Sequence, residues 1–203
     1  MKDRIIRTVI YTQRVESVEN RQERWDCADQ NIPLLLEVCG YIPVPVPNVV
    51  SDLEVFVSVI NPVGILLTGG NSLEKYGGAA EERDATDRCL IEIALCRNIP
   101  LYGFCRGMQS VLDYFGCELE SVQGHVAVRH LVDGAWGAFE VNSYHNQACR
   151  KVKEPLQVIE QTQDGVIEAA AYPDKNIIVT MWHPERERPF RQEDISRIRN
   201  LFG

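Results

Sequence analysis

Ile99-Pro100-Leu101-Tyr102-Gly103-Phe104-Cys105-Arg106-Gly107-Met108-Gln109 is the stretch from which the fold can be read. Its first half, Ile99 to Phe104, is the kind of apolar run that a strand buried on both faces requires. Its second half opens a helix expected over Arg106 to Phe115, stopped at Gly116. Between the two lies G-x-C-x-G, with Cys105 at its centre. Small residues flank such a position because a sharp strand-to-helix turn holds its central residue in a strained backbone conformation. The turn sets the Cys105 thiol at the positive end of the helix, which favours thiolate. It also aims the Arg106 N–H into the same cleft, where an oxyanion would develop. A buried cysteine at a tight turn is the plainer alternative.

Outward from this point the pattern alternates. Towards the N-terminus, strands are expected at Ile5 to Tyr11, Ile42 to Val46 and Val63 to Thr68, the second at an edge because of Pro43, Pro45 and Pro47. Helices are expected at Asp26 to Cys39 with Gly40 as C-cap, Ser51 to Ile60 with Ser51 as N-cap, and Glu81 to Arg97. Arg14 to Arg24 is polar and expected to lie over an edge. This is the order of an open parallel sheet covered on both faces. After Gly116 come short β-prone pieces around Leu119 to Val122, His125 to Val132, Phe139 to Val141, Leu156 to Thr162, Val166 to Tyr172 and Ile177 to Met181. They imply hairpins and a mixed sheet, closed by a terminal helix over Gln192 to Phe202.

The 203 residues suit one domain over 1–203, and a hydrophobic fraction of 45% is enough for a core. A net charge of -8 argues against a grip on nucleic acid or anionic membrane, but not against a small anionic substrate. The seven cysteines are odd in number and form no CxxC pair, as expected of a reduced, cytoplasmic chain. Met1 to Ile6 is too charged for a signal peptide, and no apolar run is long enough to span a membrane.

A cysteine nucleophile needs a base. His183, in Trp182-His183-Pro184-Glu185, follows the expected strand Ile177 to Met181 and so lies near a sheet end. Glu185, two residues on, can reach back to fix the imidazole tautomer. The competing reading is a surface His-Pro-Glu turn. Thr68-Gly69-Gly70-Asn71-Ser72 also follows a central strand, and the Gly70 N–H can complete an oxyanion hole with Arg106. His125 and His130 have no carboxylate or cysteine at a ligand interval, so they read as structural or pocket-rim residues and no metal is expected.

Together these pieces resemble a class I glutamine amidotransferase domain, most closely the free-standing γ-glutamyl hydrolases of the peptidase C26 type, such as γ-glutamyl-γ-aminobutyrate hydrolase. The resemblance runs from Thr12-Gln13-Arg14 to about Glu187 and rests on five pieces. These are Gly69-Gly70-Asn71, Arg83-Asp84-Ala85-Thr86-Asp87, Gly103 to Gln109, Val141-Asn142-Ser143-Tyr144-His145-Asn146-Gln147 and Trp182 to Glu185. It implies a flavodoxin-like α/β sandwich: a mostly parallel central sheet, helices on both faces and a small antiparallel portion. It implies Cys105, His183 and Glu185 as the triad, with the Gly70 and Arg106 amides as oxyanion hole. It places Gly69, Asn71, Gln109, Asn142, Ser143, Tyr144 and His145 around the γ-glutamyl group, and it implies no cofactor. The stretches between Gly70 and Arg83 and between Gly116 and Val141 are short for free-standing hydrolases, and Phe104 stands where isoleucine is usual.

Three functions follow for comparison. The first is hydrolysis of a small γ-glutamyl amide through a thioester, releasing glutamate and an amine or amidate. The second is a glutaminase subunit passing ammonia to a separate synthase partner. The third is a non-catalytic scaffold, against which the complete triad argues. Arg83, Arg106, Arg129 and Arg186 are candidates to answer an anionic leaving group. A homodimer is neither required nor excluded by the sequence.

Overall fold

Residues 7–203 are described by the computed structural model. The charged stretch Met1 to Ile6, and with it Ile5 and Ile6 of the expected first strand, lies outside the described residues. In chain order the elements are β1 (Thr8–Thr12), β2 (Arg14–Val18), β3 (Glu23–Cys27), α1 (Asn31–Val38), β4 (Ile42–Val46), α2 (Leu53–Ile60), β5 (Gly64–Leu67), α3 (Glu81–Arg97), β6 (Leu101–Phe104) and α4 (Arg106–Tyr114). Then come β7 (Glu120–Ser121), β8 (Val126–Gly134), β9 (Phe139–Tyr144), β10 (Gln147–Ala148), β11 (Gln157–Thr162), β12 (Ile167–Tyr172), β13 (Ile177–Thr180) and α5 (Gln192–Phe202).

One nine-stranded sheet runs β4-β1-β5-β6-β13-β12-β11-β8-β9. The first five are mutually parallel, and from β12 onwards each strand is antiparallel to its neighbour. The switch follows from connection length. Parallel neighbours need a crossover helix, whereas the chain after α4 is joined by short turns that return a strand antiparallel. The alternating side chains of β5 show how the layers are divided: Ile65 and Leu67 enter the core with α2, α3 and α4, while Leu66 enters the core with α1 and α5.

Two local expectations need correction. Arg14 to Arg24 is not merely polar cover, because β2 and β3 pair from Arg14↔Cys27 to Val18↔Glu23. The helix expected from Asp26 consequently begins only at Asn31, since Asp26 and Cys27 belong to that hairpin. At α2 the N-cap is Asp52, not Ser51: the Asp52 side chain accepts from the Val55 N–H at 2.9 Å. Among the described residues, no helix is long and apolar enough to cross a membrane.

Candidate active site

The loops that leave β5, β6 and β13 lie side by side because those strands are adjacent and parallel. Their carboxyl ends therefore open one crevice, the usual location of chemistry in open α/β sheets. The three loops carry Thr68 to Ser72, Cys105 and His183.

Cys105 occupies the turn between β6 and α4 with φ 51 and ψ -111, a conformation that L-residues seldom adopt. Its N–H donates to the Thr180 carbonyl at 2.8 Å, which ties the turn to β13. The flanking glycines have a steric cause. A Cβ on Gly107 would lie 2.1 Å from the Leu67 carbonyl oxygen, and one on Gly103 would lie 3.0 Å from the Gly107 backbone. Helix and strands approach too closely there for a side chain. Arg106 is the first residue of α4, so its N–H has no partner within the helix.

His183 is buried, and its Nδ1 lies 2.7 Å from Glu185 Oε1. Pro184 and Glu185 begin a single 3₁₀ turn that folds the carboxylate back onto the ring. Burial opposes a charge on His183, but the facing Cys105 sulfur and the Glu185 carboxylate outweigh it and raise its pKa to about 9. Phe104 and Tyr144 meet the imidazole edge-on, at centroid distances of 5.6 and 5.7 Å. Gly69 leaves the room for the ring, since a Cβ there would lie 2.9 Å from His183 Cε1.

Behind His183 stands Asn142, which the sequence reading set in the substrate pocket. Its carboxamide accepts from the His183 N–H and donates to the His183 carbonyl, both at 2.9 Å, and it also donates to Glu187 Oε1 at 2.8 Å. Ser143 is likewise engaged away from the crevice, its hydroxyl donating to the His125 carbonyl at 2.6 Å.

Cys105 opens onto a cavity of about 260 Å³ whose wall includes Gly70, Asn71, Gln109, Tyr144, His145 and Arg186. Gly69 borders a second cavity of about 320 Å³ that His183 also lines, together with Arg14, Gly70 and Arg186. Gln109 donates to the Gln147 carbonyl at 3.0 Å, and Asn71 clasps the backbone of Val15 through both amide atoms at 2.8 Å.

The arginines separate clearly. Arg106 is buried, with its guanidinium held by Asp84, Asp87 and Ser110. Arg83 is fully buried and donates to the Thr68 carbonyl at 2.7 Å, which fixes the loop after β5. Arg129 pairs with Glu187 at 2.8 Å. Arg186 lies over the Tyr144 ring at 4.3 Å and borders both cavities. The Arg83 to Asp87 motif thus supports the elbow and its neighbouring loop from below.

Sequence spacing did not supply two things. One is the Asn142 clamp. The other is Glu168, a fully buried carboxylate on β12 that faces His125, His130 and His145. The available signal was a lone acid in the apolar run Val166-Ile167-Glu168-Ala169-Ala170-Ala171.

Comparison with known proteins shows the family and the fold. The sequence profile of the family described as Peptidase C26 matches residues 8–131 and 123–185. Gamma-glutamyl-CDP-amidate hydrolase of Campylobacter jejuni is 37% identical over 125 residues, covering 61% of this chain and 62% of that protein. The chain therefore aligns with less than two thirds of that relative's length. A subunit of the glutamine-hydrolyzing GMP synthase of Methanosphaera stadtmanae is 28% identical over 159 residues, covering 74% of this chain and 78% of that one. A solved structure of a candidate GMP synthase subunit from Thermoplasma acidophilum superposes with a TM-score of 0.74 at 17% identity, covering 98% of this chain and 94% of that one, and so shares the fold. Profile and fold agree: the chain belongs to the peptidase C26 family, within the class I glutamine amidotransferase-like superfamily.

Proposed function

We propose that the protein hydrolyses the γ-glutamyl amide bond of a small compound through a thioester on Cys105. The observation that carries this reading is His183, which faces the Cys105 sulfur on one side and lies 2.7 Å from Glu185 on the other. Cys105 Sγ attacks the γ-carbonyl carbon, and the amides of Gly70 and Arg106 receive the oxyanion. The C–N bond then breaks as His183 gives its proton to the departing nitrogen. In the second half His183 takes a proton from water, which attacks the thioester carbon and releases glutamate and the free thiol. Glu185 holds the ring in place throughout. Gln109, Tyr144 and His145, with the backbone at Gly69 to Asn71, are proposed to shape the γ-glutamyl pocket; Asn142 and Ser143 support it from behind.

For the leaving group we favour an amidate that carries phosphate. The Campylobacter relative is named for such a substrate, and Arg186 lines the Cys105 cavity. A second reading, a glutaminase that feeds a separate synthase, is favoured by the 78% coverage of the Methanosphaera protein. Seven free cysteines suit a reducing compartment, and we assign the protein to the cytoplasm.

The test is glutamate release by the purified chain from L-glutamine and from a panel of γ-glutamyl amines and phosphoramidates, with Cys105→Ala as blank. Rapid turnover of one γ-glutamyl compound and slow turnover of glutamine support the hydrolase. Slow glutamine turnover alone supports the glutaminase. No release from any substrate overturns both.

A further inference from the structure

At one side of the catalytic cavity, the antiparallel half of the sheet brings together side chains that are far apart in sequence. His125 precedes β8, His130 lies within it, His145 follows β9 and Glu168 lies on β12. A single oxygen, Glu168 Oε1, is 3.2 Å from His145 Nε2, 3.3 Å from His130 Nε2 and 3.6 Å from His125 Nδ1. The donor atoms of His125, His145 and Glu168 all lie within 4.8 Å of one another.

Hydrogen bonding accounts for only part of this convergence, the contact of His145 Nε2 with Glu168 Oε1 at 3.2 Å. His125 Nδ1 and His130 Nε2 are buried and have no hydrogen-bond partner, and neither has the second Glu168 oxygen. Glu168 itself is wholly buried, where leaving one carboxylate oxygen unpartnered is costly. The distances from Glu168 Oε1 do match those within a cation's coordination shell. Ligand bonds of about 2.0–2.1 Å around a tetrahedral ion put neighbouring donors about 3.3–3.4 Å apart.

The surroundings fit as well. The far nitrogen of His125, Nε2, lies 3.3 Å from Asp164 Oδ2. An outer carboxylate of this kind takes the ring's N–H and leaves the inner nitrogen with its lone pair facing the ion. A cavity of about 950 Å³, bordered by His125, His130 and Asp164, gives access from the surface.

We propose that His125, His130, His145 and Glu168 bind a divalent first-row transition ion, zinc by donor type and geometry. Three imidazoles and one carboxylate suit zinc rather than calcium or magnesium, which prefer all-oxygen shells. His125, His145 and Glu168 supply three donors, and His130 closes a tetrahedral shell by a shift of its ring towards the ion, so the ion is structural. It ties β8, β9 and β12 together and fixes His145, which is also part of the Cys105 cavity wall.

The experiment uses the full chain carrying Cys105→Ala, so that the proposed nucleophile cannot act as a ligand. Chelator-treated protein is titrated with Co²⁺ and then Zn²⁺. The expected result is one equivalent of Co²⁺ with the visible bands of a tetrahedral ion and no near-ultraviolet thiolate band. Zinc at a hundredfold excess over its Kd should raise Tm by about 5–10 °C. Both signals should be lost in His130→Ala and in Glu168→Gln. Failure to bind, binding that survives both substitutions, or a thiolate band overturns the proposal and leaves a proton-held histidine–carboxylate cluster. Should the variants not fold, histidine-ring NMR of the parent decides: movement of three ring signals on adding zinc supports the site, and unmoved rings overturn it.

Discussion

Asn142 grips His183 by the backbone, with one carboxamide spanning both the N–H and the C=O of the same residue at 2.9 Å each. The side chain of His183 is thereby left to Cys105 and Glu185, while its main chain is positioned from another strand. Asn142→Ala leaves the buried His183 N–H unpaired, at about 1–3 kcal/mol, while the His183 carbonyl keeps the Arg186 N–H at 3.2 Å. It should lower kcat about 100-fold through misplacement of the ring while KM changes little. Steady-state kinetics and thermal melting check both. Unchanged kcat with lowered Tm would make the clamp purely structural.

The His183 pKa sets the alkaline behaviour. Its folded value of about 9 exceeds the ordinary 6.5, because Cys105 and Glu185 outweigh the opposing effect of burial. Protonation of the leaving group requires the charged ring, so kcat/KM should fall as pH rises through about 9. Glu185→Gln removes a contribution that raises the pKa and should move this limb to lower pH. Stability has the same sign: the stabilisation is complete below about pH 6.5 and disappears as pH passes about 9. A pH profile of kcat/KM and of Tm tests the two together.

Cys105→Ala should reduce glutamate release by about 10⁴-fold or more, as the loss of a nucleophile that works as one unit with its base does. Circular dichroism should be unchanged. In the active protein, mass spectrometry of a quenched reaction should find the glutamyl adduct on the Cys105 peptide and on no other of the free cysteines.

The ion pair beneath the elbow should matter more than those on the surface. Asp87 and Arg106 are both 1% exposed, whereas Arg24 is about half exposed beside Glu82. Asp87→Ala removes the fully buried one of the two carboxylates that hold the guanidinium, leaving Asp84, and should cost up to about 3–5 kcal/mol. Glu82→Ala should cost less than about 1 kcal/mol. Denaturant unfolding of the two variants makes the comparison.

Gly107→Ala should be among the most damaging single-methyl additions in the chain. The new carbon would lie 2.1 Å from the backbone oxygen of Leu67, which has no side-chain freedom with which to yield. A loss of at least about 3 kcal/mol, or failure to fold, is expected. The same substitution at Gly124, whose surroundings are open, should cost only backbone strain.

What the sequence made legible follows burial. β5 and β6 are buried at every residue, so their runs stood out, and α3 and α5 were placed to the residue. The β2–β3 hairpin was missed because it has almost no apolar alternation: Val15 is the one buried residue in the two strands. Cys105, His183 and Glu185 stood out as candidates because each lies on a local motif at a strand end, and the structure brings them together. Glu168 could not be paired with His125, His130 and His145 from spacing, since strand pairing in the antiparallel half brings it to them from a distant part of the chain.

The left-handed backbone at Cys105 also bears on how this chain could be improved in the laboratory. A conformation at φ 51, ψ -111 costs any L-residue about 1–3 kcal/mol, and glycine largely escapes that cost. Cys105→Gly should therefore melt above Cys105→Ala, and a library screened for heat tolerance alone would discard the proposed nucleophile early. Directed evolution of this scaffold must select for turnover in every round, because thermal robustness and the sulfur compete for the same position.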